Sequence, residues 1–178
     1  PPQRDRGQVL AAVRIRPMTQ RRLGDVYKVD LGKGSVGLFQ HVADDPTQLG
    51  SNVIRVFSHT LNTHNLALDF QELVSSAAAF HAHVAIPVGL KLKIWERIGN
   101  SRIVGDSQRI CFRICNDYGR PGLQSSQDWS VWRIGMPMNR IGPLNEHSRL
   151  CEIGLVVNPL SIVSRIRTGK YDFAYPSG

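Results

Sequence analysis

The 178-residue sequence predicts an all-β fold, an antiparallel sandwich or barrel of about eight short strands with one or two short helices. Three observations predict it. Residues 90–96 (Leu-Lys-Leu-Lys-Ile-Trp-Glu) alternate, with Leu90, Leu92 and Ile94 on one face and Lys91 and Lys93 on the other. Residues 109–115 repeat the pattern, Ile110, Phe112 and Ile114 opposing Arg109 and Arg113. A period of two belongs to a strand with one face in a core, and here both outer faces are basic. Beyond residue 80 the apolar runs are short, and clusters of Gly, Pro, Asn and Asp separate them as turns would.

Taken in order, residues 8–16 read as a strand, with Val9, Ala11, Val13 and Ile15 opposing Arg14 and Arg16, and Pro17 ends it. Residues 21–30 are ambiguous. Residues 31–38 are glycine-rich and read as a turn, as do residues 44–47, and residues 53–58 form a short strand. Residues 66–80 are the helix candidate, through Leu66, Leu68, Leu73, Val74 and the run Ala77-Ala78-Ala79. A strand over 81–86, a kink at Pro87-Val88-Gly89 and a continuation over 90–98 follow. Further strands are expected at 109–115, 129–134, 150–157 and 162–166.

The length suits a single domain, residues 1–178, able to bury a real core. No apolar run approaches the ~20 residues of a membrane span, and Pro1-Pro2-Gln3-Arg4-Asp5-Arg6 shows no signal-peptide pattern. Three cysteines do not make a disulfide framework, which suggests a reducing, intracellular setting. The net charge of +8 biases the chain toward polyanions. Residues 1–33 form a basic N-terminal segment: Arg4, Arg6, Arg14, Arg16, Arg21, Arg22, Lys28 and Lys33 against Asp5, Asp25 and Asp30.

No motif amounts to a catalytic set. Gly32-Lys33-Gly34-Ser35-Val36-Gly37 matches G-x-G-x-x-G, but Asp44-Asp45-Pro46 follows too soon for the helix that would hold a pyrophosphate. Cys111 and Cys115 share the face of Arg109 and Arg113 on a strand, where zinc knuckles do not form; His147 and Cys151 would be needed to complete a site. His81 and His83 share a strand face without a carboxylate at metalloenzyme spacing, and no G-x-S-x-G elbow supports a Ser-His-Asp set. Trp95, Trp129 and Trp132 suit a core or an interface; with Lys91, Lys93, Arg97 and Arg133 nearby they also offer a base-stacking surface. The expectation is therefore a protein that is not an enzyme and uses no cofactor or metal.

Across residues 72–122, a small-residue segment (72–79) leads through Phe80-His81-Ala82-His83 into a kinked strand (84–96), a loop, a strand (109–115) and Asn116-Asp117-Tyr118-Gly119-Arg120-Pro121. This order resembles the middle of the eight-stranded jelly roll of coat proteins of small icosahedral RNA viruses, the picorna-like ones above all. Residues 113–119, 128–133 and 150–157 are similar in layout to the plant-virus movement proteins of the thirty-kilodalton superfamily, although residues 92–97 lack their aspartate. The first resemblance implies a jelly-roll capsid subunit of the virion, made in the host cytoplasm. It would assemble with copies of itself or related coat proteins around genomic RNA. The second implies a movement or matrix-type nucleic-acid-binding protein. In either case the residues expected to meet RNA are Arg4, Arg6, Arg14, Arg16, Arg21 and Arg22, through phosphate contacts indifferent to sequence.

Overall fold

A computed structural model describes residues 21–62 and 69–178. The expected strand at 8–16 and Arg4, Arg6, Arg14 and Arg16 lie outside the described residues. The fold is mostly β, 40% strand against 19% helix, in two mixed sheets. The larger sheet has the order β11-β5-β3-β2-β1-β6, with β4 also on β2. It comprises β1 (Asp25–Gly32), β2 (Ser35–Asp45), β3 (Ser51–Phe57), β4 (Leu61–Asn62), β5 (Ala78–Val84), β6 (Trp95–Asn100) and β11 (Val156–Val157). The smaller has the order β10-β7-β8-β9, from β7 (Cys111–Cys115), β8 (Trp129–Arg133), β9 (Asn139–Gly142) and β10 (Glu152–Ile153). The expected all-antiparallel pairing is corrected at two edges: β10 runs parallel to β7, and β11 parallel to β5.

Several elements differ from expectation for local reasons. The ambiguous and glycine-rich stretches form one hairpin, β1–β2, which turns at Lys33 (φ 53°) and Gly34 (φ 73°). Two successive positive φ angles give a turn whose twist matches a β-hairpin. Strand, not helix, follows these glycines, so the dinucleotide motif is absent. Of the helix expected over 66–80, residues 66–68 lie outside the described residues, α1 covers Phe70–Ser75 with the Asp69 carboxylate as its cap, and β5 begins at Ala78.

The alternating stretch at residues 90–96 is a strand only from Trp95, where β6 begins. Residues Ile86–Lys91 form α2, with Pro87 in its first turn, where proline costs no hydrogen bond. Lys93 (φ 56°) then turns the chain into β6. Residues 162–166, expected as a strand, lie in α4 (Pro159–Thr168), started by the Asn158 side chain and Pro159 and stopped by Gly169 in the left-handed conformation. The stretch 150–157 is broken into the two-residue strands β10 and β11, each on a different sheet.

Alternation along the larger sheet sends Tyr27, Val29, Phe39, Ile54, Val56, Phe80, Ala82 and Val84 to one face, where they pack with Ile86 of α2, Trp95, and Ile162 and Val163 of α4. The other face is divided. Val26, Val36, Leu38 and Phe57 meet Leu73 and Val74 of α1. Val42, Ala43 and Val53 meet Ile110, Phe112 and Trp132 of the smaller sheet. The two sheets therefore join over one end of the larger one.

The three tryptophans are buried, Trp95 at 3%, Trp129 at 0% and Trp132 at 2% exposure, so none presents an open stacking face. Cys111 and Cys151 form a disulfide, which corrects the expectation of unpaired cysteines and removes both thiolates as zinc ligands; Cys115 is free and buried. The basic face of β7 is not free either. α3 (Glu146–Arg149) covers it, and the Arg113 guanidinium donates to the Ser148 carbonyl at 3.4 Å and to that of Arg149.

Candidate functional site

The edge strand β6 and helix α2 frame a cleft of about 680 Å³ beside β1. Tyr27 and Trp95 line it, and a run of buried aromatic rings lies beneath. Tyr27 stacks on Phe39 at 4.9 Å between centroids, and Trp95 meets Phe39 edge-on at 5.1 Å. The Trp95 indole N–H donates to the Ile86 carbonyl at 3.0 Å, tying the floor to the start of α2. Gly89 lets the helix lie on this indole, since a Cβ there would sit 2.0 Å from the Trp95 ring.

Four cations, Arg21, Lys91, Lys93 and Arg97, border the cleft with two carboxylates, Asp25 and Glu96. Both carboxylates are engaged. Asp25 accepts from Arg97 Nε at 2.8 Å and Asn100 Nδ2 at 2.9 Å, and Glu96 pairs with Lys28 at 3.1 Å. Arg21 donates to the neutral Asn52 side chain at 2.7 Å. Lys91 and Lys93 are exposed and have no carboxylate partner among the described residues. The Tyr27 hydroxyl, on a residue with 0% exposure, makes no well-formed hydrogen bond and lies beside the Asp25 carboxylate. Burial, reinforced by the nearby Asp25 charge, pushes its pKa up to about 12, so it stays a neutral donor.

A polar seam runs behind the cleft. Asp44 Oδ1 accepts from Asn52 Nδ2 at 2.7 Å and lies 3.0 Å from His41 Nε2. Asn52 Oδ1 also accepts from the Ile86 amide at 3.2 Å, so one side chain ties Arg21, β3 and α2 together. Further along, the His83 ring lies between Ser51 Oγ, 2.9 Å from Nδ1, and Asp45 Oδ2, 3.7 Å from Nε2. This is the order of a Ser-His-Asp relay, but its geometry is that of a core fastener. Asp45 accepts from Trp132 Nε1 at 2.9 Å and Thr47 Oγ1 at 2.8 Å, and its distance to Nε2 is too long for a hydrogen bond. Burial would raise the Asp45 pKa, but those two donors and His83 hold it below its ordinary value. His83 has 0% exposure and packs on Phe112 at 4.1 Å. Burial lowers its pKa to about 4 against the opposing pull of Asp45, making it neutral and weakly basic at pH 7.

Of the residues expected to meet RNA, Arg21 borders the cleft. Arg22 is exposed outside it, its amide donating to Asp25 Oδ2 at 3.0 Å. Lys91, Lys93, Arg97 and Trp95 do gather, although the last residue of α2 and the turn after it, rather than an extended strand, present the lysine pair. The tyrosine on the floor was not singled out. Its signal was the alternation Val26-Tyr27-Lys28-Val29 inside the ambiguous stretch. No helix among the described residues is long and apolar enough to cross a membrane, and no group of three or more His, Cys, Asp or Glu is placed to hold a metal ion. No family model, no curated protein and no solved structure matches the chain.

Proposed function

We propose that the protein is a non-catalytic module that binds single-stranded RNA through the α2–β6 cleft. The observation that carries this reading is the pair Lys91 and Lys93, free of carboxylate partners at the mouth of an aromatic-floored cleft that Arg21 and Arg97 also border. Phosphates would lie across the lysines and Arg21, releasing counterions, while a base packs over Leu90 and Pro87. Arg21 also belongs to the basic segment 1–33, and Arg4, Arg6, Arg14, Arg16 and Arg22 would add contacts of the same kind. The test is fluorescence anisotropy with a short labelled RNA. The double variant Lys91→Ala/Lys93→Ala, which removes two solvated side chains, should weaken binding by roughly tenfold; equal affinity for both proteins would dispose of the cleft as the interface.

A coat-subunit role, with the jelly roll that it implies, is the second reading. It is supported by the two-sheet β framework and by exposed apolar side chains, Leu150 at 86% and Leu92 and Leu160 at 59%, suited to contacts between subunits. The hairpin sequence β1–β2–β3 within one sheet weighs against it, because a jelly roll sends most consecutive strands to opposite sheets. Regular closed particles in negative-stain images would bring it forward; monomers or filaments would remove it.

A further inference from the structure

Away from the cleft, the opposite face of the larger sheet holds a guanidinium without a counter-ion. Arg55 alternates with Ile54 and Val56 along β3, so it points away from the core that those residues enter. It forms part of the wall of a cavity of about 450 Å³, together with His81, Arg109, Glu152 and the Cys111–Cys151 disulfide. Its NH2 group donates to Gln40 Oε1 at 2.6 Å and its Cζ lies 5.1 Å over the Phe57 ring. Its Nε is buried and has no acceptor.

The two carboxylates of the cavity are committed elsewhere. Glu152 accepts from Arg165 at 2.8 Å and from the His81 amide at 3.1 Å, and Asp106 pairs with Arg109 Nε at 3.1 Å. A half-buried charge with an unfilled donor is costly unless something neutralises it. Burial lowers the pKa of Arg55 and takes that of His81 to about 4, with Arg55 and Arg165 adding to the second effect. With Asp106 paired to Arg109 and Glu152 held by Arg165 from outside the wall, the Arg55 charge is the one in the cavity left without a counter-ion, and its guanidinium keeps a spare donor.

We propose that this cavity binds a small oxyanion, a phosphate or carboxylate group, on the Arg55 guanidinium, with Arg109 at its side. The planar guanidinium fork suits two oxygens of such a group at once. The site is separate from the lysine pair, so it does not depend on RNA binding at the cleft.

The experiment is titration calorimetry of the full chain with inorganic phosphate and, separately, with acetate. Sodium chloride at equal ionic strength is the control. The expected result is saturable binding of one anion per chain, weakened about ten- to hundredfold in Arg55→Gln and unchanged in Lys91→Ala/Lys93→Ala. The tighter of the two anions identifies the oxyanion class. Where Arg55→Gln does not fold, Arg55→Lys poses the same question, since it keeps the charge and loses the fork; roughly tenfold weaker binding is expected. Anion effects equal to those of sodium chloride, or native affinity in the folded Arg55 variant, would overturn the proposal.

Discussion

Replacing Gly89 by alanine puts a methyl group where the indole of Trp95 now lies. The added Cβ would stand 2.0 Å from Cε2 and 2.1 Å from Cζ2 of that ring, both of them core atoms with little room to retreat. Overpacking of this kind costs about 1–3 kcal/mol. Displacing the indole also strains its hydrogen bond to the Ile86 carbonyl, a further ~1 kcal/mol. Alanine in place of glycine within a helix returns about 1 kcal/mol. The net expectation is a destabilisation of about 1–3 kcal/mol, or roughly 3–9 °C in Tm. Urea denaturation measures it, and near-UV circular dichroism shows whether the indole has moved. Since the same ring floors the cleft, folded Gly89→Ala protein should also bind RNA more weakly. A variant as stable as the native protein, or more stable by the helix-propensity gain, would show that α2 does not rest on Trp95, and the account of the cleft floor would fail with it.

The Cys111–Cys151 bridge closes a loop with a sequence separation of 40, for which chain entropy alone gives about 4 kcal/mol. Denaturation of Cys111→Ser/Cys151→Ser, or of native protein in dithiothreitol, should reveal a loss of that order or somewhat less, and indifference to reductant would contradict the bridge. Acid should destabilise the fold through His83, whose folded pKa of about 4 lies below the ordinary 6.5. Its neutral form is favoured in the native state, so the associated stability is complete above about pH 6.5 and is lost as pH falls toward 4. Between pH 7 and pH 5 the loss should be about 2 kcal/mol from this group, read from urea midpoints, with His81 adding in the same direction. A flat profile in that interval would show that the histidine is hydrated rather than enclosed.

Several strands in both sheets were legible because burial on one face imposes a period of two. β3, β7 and β8 fall close to where the alternation and turn signals put them. The stretch at residues 90–96 misled for a definite reason. Over so few residues, Leu90, Leu92 and Ile94 fit a strand, but Pro87 and Gly89 upstream favour one tight helical turn under the indole. α4 carried β-branched residues that mimic a strand, while its true signals were the caps, Asn158-Pro159 and Gly169. The disulfide was hidden because Cys151 reaches Cys111 only through the parallel pairing of β10 with β7, a non-local contact that no spacing rule encodes. Charge near Trp95 was visible in the sequence, and its gathering into a cleft was not, because Arg21 is placed by a hydrogen bond to Asn52 from β3. The Arg55 cavity was invisible for a similar reason: four separate stretches of chain build it.

The central claim is that Lys91 and Lys93 meet phosphates, and salt dependence tests it most directly. The observed binding constant for a short single-stranded RNA, measured by anisotropy over a range of sodium chloride concentrations, gives a line on logarithmic axes. Its slope counts the phosphates neutralised, at about 0.7 per contact for a single strand. The double variant Lys91→Ala/Lys93→Ala should give a slope shallower by about 1.4 than the native protein. Superimposable lines for the two proteins would contradict the account.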